Sequence, residues 1–184
     1  MSGGQRWPHV QAMAVAEALA DELRTACERI EIAGSLRRKK PGVGDIELLC
    51  VPKVEPDMFG CAVGADLLDL RLQALIKGGT LGKRPNVKGR YTYGPKNKLL
   101  RHIPSGIPLD VFSTEARNWG MAMFIRTGSA EWNIRAMARF QQRGMQGHAY
   151  GGVTLAGNIE ADCPEEADVF KHLGWEWVEP EARS

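Results

Sequence analysis

Between Leu70 and Leu109 the sequence contains no aspartate or glutamate. Over the same stretch Arg71, Lys77, Lys83, Arg84, Lys88, Arg90, Lys96, Lys98 and Arg101 supply nine positive charges, although the whole chain of 184 residues carries only +2. The rest is therefore net acidic, much of it after Glu160. A basic middle and an acidic end hidden in a near-neutral average point to a polyanion partner on one surface. A solvated, lysine-rich loop is the bland alternative.

Other absences narrow the field. No apolar run is long enough to cross a bilayer as a helix, so no membrane partner is expected. The N-terminus MSGGQRWPHV lacks the apolar core and cleavage site of a secretory leader, and an intracellular, soluble, monomeric protein is expected. Cys27, Cys50, Cys61 and Cys163 are widely spaced and show no paired pattern, which reads as buried free thiols. The four histidines have no helical ligand spacing, so a zinc site is not expected. The length suffices for one domain, or a domain and a smaller lobe, folding without disulfides or metal.

What is present reads as α+β. Val10, Met13, Ala16, Leu19, Leu23 and Cys27 recur at three- and four-residue intervals, predicting a helix from Pro8 to about Glu28. Ile30–Ala33 alternates as a strand and is broken by Gly34-Ser35. Asp45–Pro52 is a second strand, and Asp66–Ile76 a helix ended by Gly78-Gly79. Arg90–Gly94 and Lys98–Ile103 suggest an antiparallel ribbon, followed by a strand at Pro108–Phe112. Ser129 is a candidate N-cap for a helix over Ala130–Arg143, and Pro164–Leu173 is a short final helix. Trp132 and Phe140 are expected in the core, and Trp175 and Trp177, which alternate as on a strand, are read as core or lobe-closing residues. The pattern predicts a mixed sheet with helices on one face, then a small α/β lobe, with residues 1–117 and 118–184 as the two parts.

Asp45 and Glu47 are two apart in a predicted strand, so both side chains leave the same face. Burying two carboxylates together is unfavourable unless a cation sits between them. Asp110 is a lone acid in the strand LDVF. If the two strands are neighbours, three carboxylates converge in a set that suits oxygen-liking Mg²⁺. A D-x-E pair alone is more often a solvated strand face. Upstream, Gly34-Ser35 with Arg37 and Arg38 offers backbone N–H groups, a hydroxyl and cations to an anion. An anion pocket beside a metal site is what a nucleoside triphosphate requires.

These residues resemble a known superfamily. G-S-x-R-R, a spacer, G-D-I-E and a later strand Asp are similar to the nucleotidyltransferase pattern. FIRTGSAEWN resembles the T-G-S-x-x-x-N segment of family X DNA polymerases, and DVFKHLGWEWVEPEAR resembles their C-terminal ending. The resemblance implies a nucleotidyltransferase palm and a nucleotide-binding lobe like those of a minimal DNA polymerase beta. It implies Asp45, Glu47 and Asp110 as ligands of two Mg²⁺ ions, with Mn²⁺ as a substitute. Gly34, Ser35, Arg38 and Gly44 would meet the phosphates, and Gly128 and Asn133 the sugar and base. The implied reaction is attack of a primer 3′-hydroxyl on the α-phosphate of a deoxynucleoside triphosphate, with DNA, primer-template or gapped, held by Lys83, Arg84, Lys88, Arg90, Lys96, Lys98 and Arg101. Gap-filling repair is the implied setting.

The sequence also departs from that pattern. Many members carry Asp where Glu47 stands, and Ile125-Arg126 occupies the place of an aromatic pair that limits ribonucleotide entry. Pro108 replaces an arginine, and Met137 lies near where some polymerases set an arginine against the template. About thirty residues precede Gly34, so the family's lyase domain is not expected. A template-independent or RNA-directed nucleotidyltransferase, and a non-catalytic nucleic-acid binder, remain as alternatives.

Overall fold

A computed structural model of the chain describes residues 5–55 and 64–184. Cys61 lies outside them, and Cys27, Cys50 and Cys163 are buried and free as expected. The elements in chain order are β1 (Trp7–Pro8), α1 (His9–Arg24), β2 (Cys27–Ile32), α2 (Gly34–Arg37), β3 (Gly42–Val43), β4 (Ile46–Pro52), α3 (Leu67–Lys77), β5 (Leu81–Lys83), β6 (Asn97–His102) and β7 (Pro108–Ser113). After a 3₁₀ turn come α4 (Trp119–Thr127), α5 (Ala130–Gln142), β8 (Gln146–Gly147), β9 (Val153–Leu155), β10 (Ile159–Ala161) and α6 (Glu166–Leu173).

The main sheet runs β2-β4-β7-β6-β5. Its β4–β7 pairing is parallel and the other pairings are antiparallel, so the sheet is mixed. A parallel pair needs a long crossover, and the stretch from α3 through β6 supplies it. Alternation along β4 sorts its residues between two faces. Ile46, Leu48 and Cys50 pack with Ala16, Leu23, Leu68 and Leu72 of α1 and α3. Leu49 and Val51, with Phe112 of β7, pack instead against Trp119, Ala122 and Met123 of α4. The expectation of helices on one face therefore holds for α1 and α3 only. An uninterrupted apolar run such as LLCV is the mark of a strand covered on both sides.

Several sequence expectations are corrected. Val10 is 80% exposed, because the buried face of α1 is Ala12, Ala16, Leu19, Ala20 and Leu23. Arg90–Gly94 is not a strand. Tyr91 and Tyr93 make isolated bridges only, since Asn86 closes a tight turn by accepting from the backbone N–H groups of Lys88 (2.9 Å) and Arg90 (3.1 Å). Trp175 and Trp177 lie on no strand; Trp175 packs on the C-terminal core, and Trp177, 45% exposed, closes over Phe170 and Arg183. Trp132 and Phe140 are buried, and Ser129 caps α5 by accepting from the Trp132 N–H. The β part of the expected C-terminal lobe is the three-stranded sheet β10-β9-β8, whose strands are too short for a period to place them in the sequence.

The C-terminal region has its own core, with Phe124, Trp132 and Phe170 in mutual aromatic contact. It is fastened to the sheet by a buried charge triad. Arg37 of α2 donates to Glu166 (2.5 and 3.0 Å) and to the Thr127 hydroxyl (2.6 Å). Arg183, fully buried, donates to the same Glu166 carboxylate at 2.5 Å. Beside this clamp runs a cleft of about 370 Å³ containing Arg29, Trp119 and Glu165 but none of the three acids.

Glu166→Ala would strand two guanidinium groups, one with no access to water, and is predicted to cost about 3–5 kcal/mol. Arg24→Ala, which breaks the exposed Arg24–Asp21 pair, should cost about 1 kcal/mol or less. Urea unfolding of the two variants against the parent measures the contrast.

Candidate functional site

The register of β4 and β7 sets Glu47 directly opposite Asp110. Both leave the sheet on the face covered by α4, since Leu49 and Phe112, two residues further along each strand, pack there. Asp45 lies immediately before β4 and acts electrostatically on both acids. The three sequence-predicted carboxylates are thus neighbours in the fold.

Burial, more than their mutual proximity, disfavours the ionised forms. Burial, with Asp45 and Asp110 alongside, pushes the Glu47 carboxyl up to about 8 against the opposing pull of Arg126 and Arg38. Burial pushes Asp110 up to about 6, with Arg84 pulling the other way and Asp45 adding to the rise. Burial raises Asp45 as well, opposed by Arg84, Arg38 and Arg6. Glu47 has no side-chain hydrogen bond or ion pair to any described residue, whereas Asp110 is paired with Arg84.

Gly34 is required here on two grounds. Its φ is +64°, and a β-carbon at this position would overlap the Glu47 carboxylate. The Ala33 N–H donates to the Glu47 carbonyl at 2.9 Å, which fixes the start of α2 against the start of β4. The Ser35 hydroxyl is buried with no partner among the described residues. Gly44 is exposed, and a methyl group there would meet nothing within 4 Å. Arg38 donates to the Thr127 carbonyl and stands close enough to act on Asp45 and Glu47.

Gly128 and Asn133 are occupied structurally. A β-carbon on Gly128 would overlap the Trp132 ring, and the Asn133 side-chain amide donates to the Ile125 carbonyl at 2.8 Å. The Asn133 side-chain oxygen is buried without a donor.

The basic stretch divides. Lys83, Lys88, Arg90, Lys96 and Arg101 are exposed, with the Lys83 ammonium 4.2 Å from the centre of the Tyr93 ring. Lys98 is 1% exposed and its ammonium faces Asp69 at 3.8 Å, so it is no part of an exposed basic face. Arg84 is also turned inward, to Asp110 and the Leu100 carbonyl (3.0 Å). Sequence reasoning counted Arg84 among surface cations and missed its place beside the acids. The run of cations gives no sign of it, because its orientation comes from β5 pairing with β6.

A hard divalent cation fits the donor set, which is all oxygen, uncompensated at Glu47 and flanked by an orphaned hydroxyl. Among the described residues, however, no group of three His, Cys, Asp or Glu side chains stands as a ready-made metal cage. Asp110 would have to turn from Arg84 to join one.

For each acid the raised pKa means that the folded state holds a proton the unfolded chain has already released. Stability present below the ordinary carboxylate range is therefore lost as pH rises towards about 8, where Glu47 ionises in the fold. Metal-free protein is predicted to melt progressively lower from about pH 5 to pH 8. Glu47→Gln should flatten that decline and raise the pH 8 midpoint by about 2–8 °C, taking one to two kcal/mol at about 2–4 °C each. Mg²⁺ should stabilise the parent more at pH 8 than at pH 5.5, and the variant little at either. Scanning calorimetry across pH, with and without metal, reads all three effects.

Residues 122–184, which carry α5, the small sheet, α6 and most of α4, match a family model described as DNA polymerase beta thumb. By this match the C-terminal region is similar to that of polymerases of the beta kind.

Proposed function

We propose that this chain is a nucleotidyltransferase of the DNA polymerase beta kind, extending a primer 3′-hydroxyl with deoxynucleotides, with gap filling as its task. The observation that carries the proposal is the β4–β7 register, which brings Glu47 against Asp110 beside Asp45. The adjoining segment matched as a polymerase thumb supports it.

Asp45 and Glu47 would hold one Mg²⁺ and share a second with Asp110, which would supply the positive charge that activates the hydroxyl and neutralises the triphosphate. The Ser35 hydroxyl, without a partner among the described residues, is free to donate to a phosphate oxygen. Gly44 leaves open space where a side chain would intrude. Arg38 lies between the acids and the thumb-like region and adds positive charge on the phosphate side. Leaving group and nucleophile are aligned by these fixed groups rather than by covalent chemistry. The raised pKa of Glu47 favours a site that binds metal by releasing a proton, so activity should climb from pH 6 to pH 8.

Nucleic acid would lie along the exposed cations Lys83, Lys88, Arg90, Lys96 and Arg101. Tyr91, 69% exposed beside Arg90, offers a ring on which a base or sugar can rest.

A labelled primer, incubated with each nucleotide and Mg²⁺ or Mn²⁺, with and without template, tests the reading. Extension that follows the template base and falls about 10²–10³-fold or more in Asp110→Ala supports it. Addition without template would replace it with terminal transfer, and no product with either metal would leave a binding protein. Lys88→Ala with Arg90→Ala should lower the slope of log affinity against log salt by about 0.9 for each duplex phosphate no longer neutralised, measured by fluorescence anisotropy.

A further inference from the structure

Arg126, in the last turn of α4, is held in place by aromatic rings rather than by acceptors. Its guanidinium carbon lies 3.6 Å from the centre of the Phe112 ring and 5.2 Å from that of Tyr150. Stacking of this kind fixes the plane of the guanidinium and leaves its N–H donors free at the edges.

Each neighbouring arginine has at least one acceptor, although Arg38 Nε and one terminal nitrogen of Arg183 are buried without one among the described residues. Arg37 is bonded to Thr127 and Glu166, Arg38 to the Thr127 carbonyl, Arg84 to Asp110, and Arg183 to Glu166 and the Val178 carbonyl. Arg126 is partly buried, yet it makes no hydrogen bond or ion pair to any described residue. None of its nitrogens is both enclosed and unpartnered, so the donors face solvent, and an acceptor arriving there replaces water at a guanidinium already oriented by the two rings, which lowers the ordering cost of the bond.

The position limits what the acceptor is. Phe112 is two residues beyond Asp110 on the same face of β7, so the stacked guanidinium stands over the sheet just past the acids. Its charge is felt by both Glu47 and Asp110, although no carboxylate oxygen of a described residue lies within 4 Å of it. The gap between a planar donor fork and a set of metal-seeking carboxylates suits an anion that can face both. Phosphate does so, offering two oxygens to the fork and others to metal.

We propose that Arg126 is a phosphate-binding residue of this site, donating to non-bridging oxygens of the substrate that Asp45, Glu47 and Asp110 engage. The nature of the substrate rests on the nucleotidyl-transfer reading; the anion chemistry of Arg126 does not. The phosphate belongs either to the triphosphate or to the nucleic-acid strand, and one experiment separates them.

Calorimetric titrations of the full chain, its Arg126→Ala and Arg126→Lys variants, and Phe112→Leu would use Ca²⁺ to prevent turnover. The ligands are inorganic tripolyphosphate, a deoxynucleoside triphosphate, and a gapped duplex. Arg126→Ala should weaken tripolyphosphate or duplex binding about 10- to 100-fold, the range for a charge-assisted bond. Arg126→Lys should recover only part of this, because the ammonium lacks the stacked fork, and Phe112→Leu should show a smaller loss with Arg126 still present. Loss for both polyphosphates with the duplex unchanged assigns the interaction to the nucleotide, and the reverse pattern assigns it to the strand. Equal affinity of parent and Arg126→Ala for all three ligands overturns the inference, as does a parent that binds none of them. Tripolyphosphate binding that depends on Arg126, without nucleotide or duplex binding, upholds the anion site and sinks the polymerase reading instead.

Discussion

Like-charge crowding on one parallel strand pair is the constraint around which the structure is arranged. Because β4 and β7 run together with Glu47 opposite Asp110, two acids share a face, and Asp45 adds a third at the strand's entry. Burial raises the pKa of all three, the neighbouring acids add to the rise at Glu47 and Asp110, and the fold is weakened as they ionise unless something positive arrives. The surroundings accommodate the cluster without cancelling it. Gly34 makes room for the Glu47 carboxylate by having no side chain, Arg84 pairs with Asp110 alone, and Arg126 stands near without contact. The cluster is left incompletely neutralised, and the ligand site proposed above rests on that.

The second feature is how the arginines are divided. Arg37 and Arg183 clamp Glu166, a buried arrangement that fixes the C-terminal region against the sheet. With that interface fixed, the end of α4 comes to rest over the acid-bearing face, and Thr127 receives both Arg37 and Arg38. A buried triad stabilises less than apolar packing of the same volume, yet it is directional, and direction is what a cleft between two cores needs. The apolar contact of Leu49, Val51 and Phe112 with Trp119 and Met123 supplies the adhesion.

The basic segment shows the same separation of roles. Sequence alone makes its nine cations equivalent. In the fold Lys98 is enclosed near Asp69, Arg84 turns to Asp110, and the tight turn closed by Asn86 leaves Lys88 and Arg90 in solvent. Burial of an occasional lysine by its aliphatic stem is compatible with strand alternation, and so the pattern of charges carries no sign of it.

What the sequence determined by itself is local. Periodicity marked α1, α3, α5 and α6 to within a few residues, Ser129 marked its own cap, and alternation marked β4 and β7. The expectation that Asp45 and Glu47 share a face rests on the two-residue period of a strand, although Asp45 stands just before β4, and Gly34-Ser35 marked the end of β2. Only the tertiary structure decided the partner of each acid. Asp110 is 63 residues from Glu47 and joins it through a register that no local pattern encodes. Helix placement on both faces, the inward turn of Arg84 and Lys98, and the stacking of Arg126 on Phe112 are likewise set by long-range packing. Secondary structure depends on neighbours along the chain, whereas a site depends on which distant surfaces are buried together.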